Sequence, residues 1–272
     1  MRPIDQQTIL VTGATDGLGK ALAADLAGRG ATVLLHGRDE DRGRAALEEV
    51  RQKTGSDRLG WYRADLSSME QVRSLADQVR RDWPALHTLV SNAGIGSTVP
   101  GGGERQESAD GLELRFAVNY LAGYLLGCLL RPLLVASAPA RIVNVSSIGQ
   151  APIDFDDVML TGRYDPRQAY CQAKLAQVMM TIDWAEELAG TGVTVNALHP
   201  ATFMPTKMVP SPISTLEEGV EATSRLVTDP DLDEVSGRFF NGRREARAED
   251  QAYDPAARRR LRELSDRLTG LA

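Results

Sequence analysis

The chain has 272 residues, 42% of them hydrophobic and 25% charged, and a formal net charge of −6. Those are the values of a globular domain with a large core, and the acidic balance excludes the electrostatic footprint of a nucleic-acid binder. The two cysteines, Cys128 and Cys171, offer no disulfide framework, and no leader segment is recognisable ahead of the first apolar run, so the expected compartment is the cytoplasm.

The first half alternates extended and helical patterns. Thr8–Thr12 is a short apolar run ending in glycines, Lys20–Gly30 is helical, Thr32–Leu35 is apolar and β-rich, and Arg42–Lys53 is helical. Leu59–Tyr62 reads as extended, Met69–Trp83 as helical and Thr88–Val90 as a short strand. The second half continues with a long helix over about 112–134, strand Arg141–Val145, helix Gln168–Ala189 and strand Thr194–Leu198. Such alternation predicts βαβ units, hence an α/β fold with a doubly wound parallel sheet of Rossmann type. No composition break divides the chain, so one domain is expected over 1–272. It has a dinucleotide-binding half at about 6–150, with the catalytic helix, substrate loop and C-terminal region at about 151–272.

Smaller signals qualify this outline. The longest apolar run, Tyr120 to Leu130, stops at Arg131-Pro132. It is too short to span a bilayer and predicts a buried helix, without membrane insertion. The basic run Arg258-Arg259-Arg260, diluted by Glu263 and Asp266, reads as a solvated helix face. The glycine-rich stretch at 94–103 and the proline-rich stretch at 200–212 read as loops, and loops at strand ends often serve a site.

Between the first strand and first helix lies Thr12-Gly13-Ala14-Thr15-Asp16-Gly17-Leu18-Gly19. Glycines at a first βα turn let the backbone approach a pyrophosphate, which rests on the helix N-terminus. The second strand ends in His36-Gly37-Arg38-Asp39. A carboxylate here would bond the adenosine ribose 2′-hydroxyl and select NAD, whereas an arginine accommodates a 2′-phosphate, so Arg38 argues for NADP(H). Asp39 is the counter-argument, and it reads instead as the N-cap of the following helix.

Within the helix at 168–189, Tyr170 and Lys174 are about one turn apart and share a face. An ammonium beside a phenol favours the phenolate and makes a proton donor and acceptor for carbonyl chemistry. Lysine is scarce: 27 of 31 cationic residues are arginine, so a lysine here hints that a compact ammonium is wanted. The three histidines, His36, His87 and His199, are scattered without metal-ligand spacing, and no metal is expected.

Taken together, these residues resemble the short-chain dehydrogenase/reductase family over nearly the whole chain. The marks run in order: the glycine-rich turn, Asp65-Leu66, Asn92-Ala93-Gly94, Asn119, Val145-Ser146-Ser147, Tyr170-x-x-x-Lys174 and His199-Pro200. The resemblance implies hydride transfer between a nicotinamide and a carbonyl or alcohol carbon. It assigns Tyr170 as general acid/base, Lys174 as the ammonium that depresses its pKa and bonds the nicotinamide ribose, and Ser147 as the group orienting the carbonyl. Ser146 would be a backbone-bonded turn residue, and Asn119 would hold a water linking Lys174 to solvent. The implied cofactor contacts are Gly13, Thr15, Asp16, Gly17, Leu18, Gly19, Arg38, Asp65, Leu66, Asn92, Ala93, Gly94, Tyr170, Lys174, Pro200 and Thr206. The acid that marks NAD-dependent members would align with Gly37. Homo-oligomerisation, as dimer or tetramer, is implied by family analogy, with the helix at 112–134 as a candidate interface or simply core.

Two departures refine this. Ser147 and Tyr170 are 23 apart, against about a dozen in compact members, and the inserted segment from Ile153 to Tyr164 resembles the retinol-dehydrogenase-like branch. So do Glu234–Phe240 and Leu261–Ser265. Pro200-Ala201 stands where Pro-Gly is usual, and Pro205 displaces the expected threonine to Thr206. The loop carrying Phe203, Met204, Met208, Val209 and Ile213 is either an adaptable apolar lid or core packing. The reading is therefore an NADP(H)-dependent oxidoreductase acting on a bulky, apolar small molecule. The alternatives are a non-catalytic NADPH-binding regulator and, on the same fold, a nucleotide-sugar epimerase or dehydratase.

Overall fold

The fold is that of a computed structural model, which describes residues 2–97, 103–205 and 211–272. Among these residues the strands are β1 (Thr8–Val11), β2 (Thr32–Gly37), β3 (Leu59–Arg63), β4 (Thr88–Ser91), β5 (Ala140–Val145), β6 (Val193–His199), β7 (Phe239–Asn241) and β8 (Arg244–Ala246). They form one sheet in the order β3-β2-β1-β4-β5-β6-β7-β8, parallel throughout except for the antiparallel β7–β8 pair. The helices are α1 (Gly17–Gly28), α2 (Glu40–Thr54), α3 (Met69–Asp82), α4 (Leu114–Ala136), α5 (Pro166–Glu187), α6 (Leu216–Thr228) and α7 (Pro255–Thr269). The expected single doubly wound α/β domain is what forms.

Alternation along the strands divides the core into two layers. Ile9 and Val11 of β1, Val33 and Leu35 of β2, and Val143 of β5 point to the layer of α1 and α6. Leu10, Leu34 and Ile142 point to the layer of α3, α4, α5 and α7. Both sheet faces are therefore dry, which is why the central strands read as unbroken apolar runs. Helix starts are set by short polar caps: Asp39 accepts from Arg42 N, Ser68 from Gln71 N, and Thr215 forms a capping box with Glu218.

The order around β1, with β2 on one side and β4 on the other, creates a crevice at the carboxyl ends of the strands, where α/β sheets bind ligands. The turns carrying Gly13, Arg38, Asp65, Asn92, Ser147 and Pro200 all leave from that edge.

Two expectations need correction. The apolar run at 120–130 lies within a continuous helix of 23 residues, Leu114–Ala136, with mean hydropathy 1.5. By length and composition it is long enough to cross a membrane, so the argument from a short run does not hold; in this fold 56% of its apolar window is buried. Part of its face is covered within the chain, as the core alternative allowed. The chain's own α7 lies across it, with Tyr120 Oη and Ser265 Oγ 2.8 Å apart and Tyr124 Oη donating to Asp266 at 2.6 Å. Finally, Arg258 is not solvated: it is 6% exposed and donates to Glu186 at 2.7 Å, while Arg259 and Arg260 face solvent.

Candidate active site

The turn after β1 is held from β4. Thr12 Oγ1 donates to Val90 O at 3.3 Å and accepts from Asn92 N at 2.9 Å and Ala93 N at 3.1 Å. Asn92 Nδ2 donates to Thr12 O at 2.8 Å and Gly13 O at 3.3 Å. Gly13 has φ +66°, and a Cβ there would lie 2.8 Å from Ala93 Cα; one on Gly19 would lie 2.3 Å from Gly13 O. Only glycine fits either place. Asp16 caps α1 by accepting from Gly17 N at 2.8 Å. The next N–H groups, at Leu18 and Gly19, lead the helix as an anion-facing terminus.

His36 braces the same turn, a role the sequence reading missed. Gly13 N donates to His36 Nδ1 at 3.2 Å, which fixes the proton on Nε2, and Nε2 then donates to Ala64 O at 3.1 Å. Burial pushes its pKa down to about 4, so the ring is neutral.

At the end of β2, Asp39 is committed to its cap, accepting from Arg42 N at 2.9 Å. Arg38 is exposed, and its guanidinium has no ion pair among the described residues. Arg63 Nε donates to Arg38 O at 3.3 Å, and Arg42 reaches Asp16 at 3.4 Å. Asp65 shapes the turn after β3 by accepting from Ser67 N at 2.9 Å, while Leu66 is buried in the core.

Ser147 leaves β5 and Tyr170 stands on the second turn of α5. Ser147 Oγ accepts from Gly149 N at 3.0 Å, and it and the Tyr170 ring both lie against Gly149. Ser146 Oγ donates to Lys174 O at 2.7 Å, the backbone-bonded role expected of it. Lys174 Nζ lies 5.7 Å from the Tyr170 ring centroid and donates to Val145 O at 2.9 Å and Gln177 Oε1 at 3.0 Å. Burial pushes the Lys174 ammonium down to about 7. Burial also pushes the Tyr170 phenol up, and the Ser147 hydrogen bond opposes it. The expected depression by Lys174 is not the dominant effect; its ammonium is bonded to Val145 O and Gln177 Oε1.

Asn119 lies in a π-helical stretch of α4, Ala117–Leu121, a local widening often found at functional sites. Its Oδ1 accepts from Ile95 N at 2.6 Å and its Nδ2 donates to Ile95 O at 3.0 Å, so it clamps the loop after β4 that starts at Ala93-Gly94. One turn earlier, Arg115 Nε donates to Gly96 O at 3.1 Å. Arg115 Nη1 donates to Tyr164 Oη at 2.6 Å, and Tyr164 Oη donates to Glu113 at 3.1 Å. Glu113 and Arg115 are 0% and 1% exposed, so this is a fully buried charged pair bridged by a phenol from the inserted segment. The four-residue spacing of Arg115 and Asn119 puts both on one helix face, a signal for Arg115 beside the site but not for its bridge to Tyr164.

The loop after β6 divides. Met204 packs into the core against Leu18 and Gly219, so it is not a free lid residue. Phe203 and Ile213 are 58% and 72% exposed, joined by Ile213 N donating to Phe203 O at 3.0 Å. Phe203 has φ +49°, a conformation few side chains adopt. Thr206, Met208 and Val209 lie outside the described residues. His199 Nε2 meets Thr202 Oγ1 at 2.9 Å, and burial pushes its pKa down to about 4.

A doubly wound sheet with this turn and this serine–tyrosine–lysine grouping defines a nicotinamide-dependent class, and the comparisons agree. The model of the short chain dehydrogenase family matches residues 7–215. The chain belongs to the short-chain dehydrogenase/reductase family, in its retinol-dehydrogenase-like branch. Retinol dehydrogenase 13 of Mus musculus is 37% identical over 290 residues, covering 99% of this chain and 85% of that protein. An uncharacterized protein from Mycobacterium paratuberculosis superposes with a TM-score of 0.79 at 27% identity, covering 97% of this chain and 94% of that one. A short chain dehydrogenase from Escherichia coli, complexed with NADPH, superposes with a TM-score of 0.71 at 27% identity over 88% of this chain and 97% of that one. The protein is thus a hydride-transfer oxidoreductase of a family that uses NAD(P)(H).

The cytoplasmic placement expected from the sequence is withdrawn. Its relatives are named for retinol, an alcohol that partitions into lipid, and α4 is long and apolar enough to cross a membrane.

Proposed function

We propose that the protein transfers hydride between NADP(H) and a bulky, apolar aldehyde, ketone or alcohol, with Tyr170 as acid/base. The observation that carries this is the grouping of Ser147, Tyr170 and Lys174, with Ser147 Oγ and the Tyr170 ring both against Gly149 and the Lys174 ammonium 5.7 Å from that ring. The bound nicotinamide supplies or takes up the hydride. In the reducing direction Tyr170 donates its phenolic proton to the carbonyl oxygen, and Ser147 offers that oxygen a second donor. Lys174 eases the negative charge left on the phenol oxygen. Asn119 holds the backbone at Ile95 beside the site.

Preference for the 2′-phosphate is supported by Arg38 being exposed and, among the described residues, without an ion pair, while Asp39 is spent on its cap. An acid in place of Gly37 has no room, since a Cβ there would lie 2.4 Å from Thr15 Cγ2 and 3.0 Å from Trp61. An apolar substrate is supported by Ile148, next to Ser147 and 50% exposed, together with exposed Phe203 and Ile213. The retinol dehydrogenase names of the relatives suggest retinaldehyde as the first probe. Any homo-oligomer would use a surface other than the face of α4 that α7 covers.

The test is NADPH consumption with retinaldehyde and a panel of apolar aldehydes and ketones, repeated with Arg38→Ala. Turnover is expected, with NADPH affinity falling about tenfold or more in the variant and NADH affinity unchanged, as for loss of a charge-assisted contact. Tight NADPH binding without turnover of any carbonyl favours the non-catalytic regulator, and equal losses for both cofactors remove Arg38 from phosphate reading.

A further inference from the structure

We infer that Gln177 is a positioning residue that holds the Lys174 ammonium charged and in place inside the site. The inference rests on the reading of Lys174 as a cofactor-contacting ammonium. Lys174 is 5% exposed, and among the described residues its Nζ is bonded to two neutral oxygens, Val145 O at 2.9 Å and Gln177 Oε1 at 3.0 Å. The first is a backbone group that every sequence supplies. The second is a side chain, 2% exposed, that this sequence chose for the same helix face one turn after Lys174.

The turn that presents Gln177 is itself anchored to β5. Asn144 Nδ2 donates to Thr181 Oγ1 at 2.9 Å, and Thr181 Oγ1 donates to Gln177 O at 2.8 Å. On the preceding turn Ser146 ties Lys174 O to the same strand at 2.7 Å. The amide oxygen is thus delivered from a fixed backbone.

The surroundings make that oxygen matter. No carboxylate shifts the Lys174 ammonium; burial alone does, and it favours the neutral amine. The titratable groups facing it are Tyr170 on its own helix and His199 at the end of β6, whose ring burial keeps neutral. Among the described residues, Gly94 of the loop after β4 and Asn119 of α4 lie beside it, and both are neutral. With no counter-charge, hydrogen bonds to the charged form are what oppose desolvation. A carboxylate here would over-stabilise the ammonium, and an apolar side chain would release it as neutral amine.

The test needs no carbonyl substrate. NADPH affinity is followed by fluorescence titration across about pH 6–10 for wild type, Gln177→Met, Gln177→Glu and Lys174→Met. Wild type is expected to lose affinity through an alkaline inflection that Lys174→Met lacks. Gln177→Met, which keeps the volume and removes the acceptor, is expected to move that inflection about one unit toward acid. Gln177→Glu is expected to move it toward alkali, so a structural loss in one variant does not mimic the pair. An inflection present in wild type, absent in Lys174→Met and unmoved in both Gln177 variants overturns the inference alone. An inflection unchanged by Lys174→Met overturns it together with the role of Lys174, and absence of NADPH binding overturns the proposed function.

Discussion

The cofactor side and the substrate side of this sheet edge are built by different means. Around the glycine-rich turn, hydrogen bonds run between neighbouring strands: Thr12 and Asn92 tie β1 to β4, and His36 ties the turn to β2 and β3. The inserted segment after Ser147 is instead stapled from helices and loops outside the sheet. Gln251 bonds both N and O of Ile153, Arg260 bonds Asp156, and Tyr164 enters between Glu113 and Arg115. Glycine geometry and ties between adjacent strands set the first region, whereas polar contacts from helices and loops outside the sheet set the second. A change on the cofactor side should therefore act on the turn itself, and one on the substrate side on how the insert is docked.

The sharpest break of that contrast is Arg115→Met. It leaves Glu113 buried without its cation, which costs about 3–5 kcal/mol when a buried pair loses one partner. Denaturant unfolding should show that loss, and a loss near zero would show that the network does not hold the insert. Tyr164→Phe, which keeps both charges, should cost clearly less.

Next in size is acid sensitivity of the cofactor side. His36 has a pKa of about 4 in the fold, against 6.5 for the unperturbed ring, so the unfolded chain takes up the proton first. Stability is fully present above about pH 6.5 and is lost as pH falls toward 4, by about 3 kcal/mol from this group. His199, also pushed down to about 4, adds a loss of the same sign. Thermal melts over that range should fall steeply, and His36→Gln should flatten the fall; equal slopes would contradict the neutral brace.

The smallest effect belongs to the outer staple. Arg260 is paired with Asp156 in a solvated setting, 58% and 89% exposed, so Arg260→Ala should cost under about 1 kcal/mol. A larger loss would mean that its stacking over Phe155, 5.0 Å from the ring centroid, carries the insert.

The same contrast explains what could be read from the chain. The first six strands, the glycine turn and the Asp39 cap follow from short spacings and local rules, and the backbone role of Ser146 from the family resemblance. The Arg115–Tyr164 bridge and the burial of Arg258 join residues 49 and 72 apart, as with Arg258 and Glu186, and no spacing rule reaches across that distance. Arg258 looked solvated because its sequence neighbours are charged, yet α7 turns that one arginine inward over α5. The short β7–β8 hairpin escaped because three-residue strands carry too few alternations to register.

The central claim is that Tyr170 serves hydride transfer to a carbonyl carbon. Its most direct test uses NADPH deuterated at nicotinamide C4 with retinaldehyde and the apolar carbonyl panel, reading the mass of the alcohol formed. Wild type should place one deuterium on the carbinol carbon, and Tyr170→Phe should bind NADPH with little change while losing about a thousandfold or more of that transfer. Undiminished label transfer by Tyr170→Phe, or none from wild type despite tight NADPH binding, would contradict the account.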